Sequence, residues 1–151
     1  MITSTCTQPW RRKKGLAGIV TATLLWVIPA VGLAQKEGKM NIFRMYTGTD
    51  GQSHLEEQTI SAHPSLAEAR SAVHIQFQEI AAGTFVDWHP APRRQYVIVL
   101  AGQLELGFKD GTTRRLHPGD AMLAEDTTGS GHTTRVVSAV PVVAAIVPLA
   151  N

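Results

Sequence analysis

The residues best equipped for chemistry lie in two short stretches. The first, DWHPAPRRQYVIVLAGQLEL from Asp87 to Leu106, holds His89, a Pro-braced turn, the adjacent Arg93 and Arg94, and Tyr96. The second, EDTTGSGH, runs from Glu125 and Asp126 through a Gly-rich loop to His132. An imidazole ligates metal or moves protons near neutral pH. A guanidinium fork grips a carboxylate through two parallel hydrogen bonds. Carboxylates and phenols serve as general acids or bases. Each group also has a plainer role. A His at a strand end is commonly a hydrogen-bonded structural residue, and an acidic pair before a Gly-rich loop commonly forms an Asx-type turn. Arg after a Pro turn is commonly surface, and Trp88 either walls a pocket or fills core. Strand neighbours alternate faces, so at least one of the two Arg must point outward; Arg94 or Tyr96 is the favoured inward group. His117, before Pro118, reads as turn surface and His63 as exposed. His54, Glu56 and His74 are ligands by type that the sequence does not place.

The elements that must position these groups begin after a leader. RRKK (Arg11 to Lys14) is a basic n-region, Gly15 to Ile28 is continuously apolar, and Gly32 and Ala34 stand at −3 and −1 of a cut before Gln35. This is the layout of a secretory signal peptide, residues 1–34. A retained signal anchor is the other reading, because the apolar run just reaches spanning length; the small-residue exit favours cleavage. The Arg11-Arg12 pair resembles a twin-arginine signal without its usual flanks. The expected location is periplasmic or secreted, with membrane contact only through an uncleaved leader.

Four of the 14 basic residues lie in that leader with no acidic ones, leaving ten basic against twelve acidic, a net −2. The basic balance therefore belongs to targeting, and no basic stripe supports nucleic-acid binding. The one cysteine, Cys6, is also in the leader. The remainder has no disulfide, thiolate nucleophile or Cys-ligated zinc, which suits an oxidising compartment. Its roughly 117 residues can build one modest core.

Asn41 to Gly48 reads as a strand, and Asp50-Gly51 opens a turn. HPSLAEARSA, His63 to Ala72, reads as one short helix of about two turns, with Ser65 and Glu68 at capping-box spacing. VHIQFQEI alternates Val73, Ile75 and Phe77 against His74, Gln76 and Gln78, as a half-buried strand does. Gln95 to Gly102 is an apolar strand. QLELGFKDGTTRRL folds back around Asp110-Gly111, a two-residue hairpin signal. Ala121 to Glu125, His132 to Val140 and Val142 to Leu149 close the set. About eight short strands with turns roughly every ten residues argue an all-β antiparallel sandwich or barrel over residues 41–150.

At this point a resemblance emerges. Gly83, five residues, His89, Ala91, three residues, Gln95, six residues and Gly102 resemble the first motif of the cupins. Gly111, the Pro118-Gly119-Asp120 turn and Gly129-x-x-His132 resemble the second, with Thr127 where the family has Pro. The match spans about Val73 to Leu149. It implies a small single-domain jelly-roll barrel in which His89, Gln95 and His132 converge as metal ligands. The family uses two His and a Glu from the first motif and one His from the second. Here Ala91 replaces the second His and Gln95 the Glu. Gln is a weak neutral oxygen ligand, and the anionic donor of a two-His-one-carboxylate iron site is gone.

Two function classes follow. One is an exported enzyme using a divalent metal on a small carboxylate, sugar or enol-type molecule. Arg94 and Trp88 would bind the substrate, while Tyr96 or Glu125 would move a proton. Isomerase or lyase chemistry fits this ligand set better than oxygen activation. The other is a non-catalytic binding or sensing cupin. A homodimer formed through an edge strand is expected in either case.

Overall fold

The computed structural model describes residues 40–150; the leader and its cleavage site lie outside them. Ten strands form: β1 (Ile42–Thr47), β2 (Ser53–Gln58), β3 (Gln76–Ile80), β4 (Phe85–His89), β5 (Gln95–Ala101), β6 (Leu104–Gly107), β7 (Thr113–Leu116), β8 (Ala121–Glu125), β9 (His132–Val136) and β10 (Val142–Pro148). They make two sheets, ordered β2-β1-β8-β5-β10-β3 and β4-β9-β6-β7. Neighbours are antiparallel apart from the parallel pair β1 and β8. The architecture is an all-β jelly roll.

Period-two alternation explains the core. Phe43 and Met45, Val97 and Val99, Leu104 and Leu106, and Val142, Ala144 and Ile146 each take the same side of their strand and join one cluster. The ladders align them: Phe43 faces Met122, Met122 faces Val97, and Val97 faces Ile146. Cross-strand partners share a face, so one row of apolar side chains crosses the larger sheet. Each large side chain buried in this way contributes about 1.5–3 kcal/mol.

Four local outcomes differ from expectation. The helix is a single 3-10 turn, Pro64–Ala67, and Glu68 closes it by donating its N–H to the Ser65 carbonyl instead of capping the start. Pro64 opens it, but with no buried residue the turn has no apolar face to extend it. SHLEEQ, whose polar letters carry no strand signal, is β2 and pairs fully with β1. The Asp110-Gly111 hairpin has three residues in its loop, because Phe108 N–H bonds to the Thr112 carbonyl at 3.0 Å. Gly111 takes φ of 82° there, while Asp110 accepts from the Thr112 backbone and hydroxyl.

The fourth outcome concerns β3. Its strand alternates as expected, with the opposite face inward. Gln76 pairs with Ile146 and Gln78 with Ala144, both core residues, so the carboxamides lie on the core side of the sheet. Val73, Ile75 and Phe77 are 64%, 58% and 67% exposed. β3 is an edge strand, and only Ile80 at its end packs on the core.

Candidate functional site

His132 opens β9, the strand whose Val136 sits in the core, and is itself buried. Its Nδ1 lies 2.7 Å from Oδ2 of Asp126, a completely buried carboxylate. The Ser53 hydroxyl of β2 donates to the same oxygen at 2.7 Å. His89 ends β4 directly opposite His132 in the ladder. The two rings are 4.5 Å apart between centroids and tilted by 51°. His89 Nδ1 is 2.7 Å from the Asp87 carbonyl.

These contacts set the tautomers. A carbonyl or an ionised carboxylate only accepts, so both Nδ1 atoms carry a proton, and in the neutral ring that tautomer leaves the lone pair on Nε2. The backbone locks the pair together. Ala91 N–H donates to the Asp126 carbonyl at 3.0 Å, joining the turn after His89 to the loop before His132. Gly131, at φ 69°, passes so close to His89 that an added Cβ would lie 2.2 Å from its carbonyl carbon and oxygen. Only Gly fits there, which explains the Gly-rich loop. Asp126 Oδ1 and Ser130 Oγ are buried without a hydrogen-bond partner among the described residues.

Gln95 lies on the core side of β5, beside Ala124 and Pro148. It lines a cleft of about 270 Å³ with His74, Gln76, Gln78, Arg93 and other residues. His89 and His132 are not in that lining. Ala91 is buried and brings no donor. Among the described residues, no three His, Cys, Asp or Glu side chains gather as a metal cluster.

Arg94, Tyr96 and Glu125 go elsewhere. Gln95 faces the core side, so its neighbours Arg94 and Tyr96 face the opposite side of the sheet. Glu125 follows core residue Ala124 and joins them there. Its carboxylate receives Arg44 Nε at 2.7 Å and Arg94 Nε at 2.5 Å. Burial pushes the Glu125 carboxyl up, but the two guanidinium hydrogen bonds and charges outweigh it and hold the group below the usual range. Arg94 and Glu125 thus belong to an outer ion-pair network with Arg44, Tyr96 lies on the same face, and none of the three converges with the His pair. Trp88 is 39% exposed, with the Lys109 ammonium 3.5 Å over its ring.

The remaining candidates have partners of their own, except His74. His54 bonds to Asp50 at 3.1 Å, and Glu56 pairs with Arg44 at 3.4 Å. His117 approaches Asp120 at 3.7 Å, and His63 meets the Thr59 carbonyl at 3.3 Å. The structure adds Asp126 and Ser53 as support for His132. Asp126 was visible only as an Asx-turn residue or a general acid or base near His132. Ser53 lies 73 positions from Asp126, and no local pattern pointed to it.

No family model matches this chain, and no curated protein matches it. Solved structures do. A cupin domain from Bordetella pertussis Tohama I is 19% identical with a TM-score of 0.43, over 56% of this chain and 88% of that one. The Schizosaccharomyces pombe Cnp3 cupin domain is 11% identical with a TM-score of 0.44, over 74% and 83%. KdgF from Halomonas sp. is 23% identical with a TM-score of 0.35, over 54% and 89%. On its own strand order the chain is a two-sheet jelly roll, with His89 and His132 paired across β4 and β9.

Proposed function

We propose that the chain acts on a small carboxylate, sugar or enol-type molecule and that the His89–His132 pair is its working centre. The observation that carries this reading is the anchoring of both Nδ1 atoms on two rings 4.5 Å apart, which leaves each Nε2 free to act as a ligand. Metal-ligating His residues characteristically donate their other N–H to a carboxylate or backbone carbonyl. The pair therefore suits a divalent metal, while Gln95, the expected third donor, lines a cleft that the two His do not share. Such an ion, when bound, supplies Lewis-acid polarisation of a carbonyl or enolate oxygen. Asp126 fixes the His132 tautomer and Ser53 fixes Asp126. Tyr96 and Glu125, expected to move a proton, face the other side of the sheet from this pair. With no anionic ligand, affinity is low and isomerase or lyase chemistry is favoured over oxygen activation.

A second reading is a non-catalytic binding cupin. What favours it is the missing third His, Cys, Asp or Glu donor among the described residues. Calorimetric titration with Mn²⁺ and Zn²⁺ separates the two. The enzyme reading expects saturable binding that disappears in the His89→Ala, His132→Ala double variant. Equal heats from wild type and double variant would leave the binding reading.

We further propose export to the periplasm or medium through the leader, and a homodimer. The apolar stripe Val73, Ile75 and Phe77 runs into and along an edge strand whose free backbone can pair with its own copy about a twofold axis.

A further inference from the structure

The reversed face of β3 has a chemical consequence. An edge strand that turns its apolar residues to solvent and its carboxamides toward the barrel loses hydrophobic stabilisation on both faces. The polar side must therefore be judged by what it lines. His74, Gln76 and Gln78 from the β3 segment, Gln95 from β5 and Arg93 from the turn before β5 surround one cleft of about 270 Å³. Ile146, Pro148 and Pro92 give it an apolar lining. None of the five polar side chains has a hydrogen-bond or ion-pair partner among the described residues. The neighbouring Arg94 pairs with Glu125, as does Arg44, which also meets Glu56. Arg93 is left without a carboxylate.

The composition of the lining selects a ligand class. It contains no Asp or Glu, which argues against an amine or other cation. It contains one full positive charge, suited to a single carboxylate held by a guanidinium fork. Three carboxamides each offer both donors and an acceptor, matching hydroxyl groups that do the same. An apolar wall beside convergent polar groups suits the C–H face of a ring. We propose that this cleft binds a polyhydroxylated monocarboxylate, that is, a sugar acid, with Arg93 on the carboxylate and Gln76, Gln78 and Gln95 on the hydroxyls. This goes beyond the proposed function, because the cleft is a site apart from the His pair. The binding itself rests on the cleft and not on the His pair.

The test is a calorimetric and ¹⁵N-NMR titration of the full chain with sodium D-glucuronate, D-glucose and sodium acetate. Glucuronate is expected to bind saturably, at least tenfold more tightly than either glucose or acetate, with shifts at His74, Gln76 and Gln95. Arg93→Ala and the Gln76→Ala, Gln78→Ala double variant should each weaken it at least tenfold. All three positions are exposed, so these variants should keep the wild-type melting temperature. His89→Ala, which leaves the buried His132–Asp126 pair in place, should keep glucuronate binding, which separates the cleft from the metal reading. Equal binding of glucuronate and glucose, no saturable binding at all, or unchanged affinity in the Arg93 and Gln variants would overturn the proposal.

Discussion

Asp126 shows how much one residue carries. A fully buried carboxylate is stable only when donors meet it, and here the Ser53 hydroxyl and the His132 ring both meet one oxygen at 2.7 Å. Removing it leaves two buried donors without an acceptor. Asp126→Ala should therefore cost about 3–5 kcal/mol in denaturant unfolding. Asp126→Asn, which keeps the shape, should cost less but still lower divalent-metal affinity about 10–100-fold, read by calorimetry. This residue was only half legible in the sequence. Its place six positions before His132 was visible, but an acidic residue before a Gly-rich loop reads equally well as a turn. Its burial depends on β2, a distant segment whose polar letters SHLEEQ gave no strand signal.

Elements show where alternation informs and where it does not. Period two correctly separates Gln95 from Arg94 and Tyr96, yet it does not say which set faces inward; Ala124 and Pro148, the cross-strand neighbours of Gln95, decide that. The same limit applied to β3, where the inward face proved to be the polar one. On the outer side of the larger sheet, Glu125 ties β8 to Arg44 of β1 and to Arg94 just before β5. Its carboxyl is held below the ordinary range, so its contribution to stability is full above the unfolded pKa and fades as pH falls through the folded one. Glu125→Gln should lose about 1–2 kcal/mol near pH 7. The difference from wild type should shrink as the pH falls below about 4, as thermal melts across pH would show.

At the scale of the molecule, the fold was the most legible feature. Short strands, Gly and Pro punctuation and the spacing of His89, Gly102 and His132 all agree with a two-sheet jelly roll. Surfaces were less legible, because a strand pattern is the same whether a face meets a core, a ligand or a second copy. The exposed Val73, Ile75 and Phe77 stripe makes a specific demand. If two copies meet there, Phe77→Lys should convert a dimer to a monomer in light scattering after size exclusion, with the monomer fold retained, since Phe77 is 67% exposed. A wild-type monomer, or a dimer unchanged by Phe77→Lys, would exclude that contact.

His89 and His132 face each other with ring centroids 4.5 Å apart, while the Asp87 carbonyl and the Asp126 carboxylate hold their Nδ1 protons. Imidazole ¹⁵N NMR of the full chain, recorded with and without Zn²⁺, tests this arrangement most directly. Protonated Nδ1 in both rings before and after addition, and Zn²⁺-dependent shifts at both Nε2 atoms, are expected. Unchanged Nε2 resonances, or Nε2–H tautomers in the free protein, would contradict it.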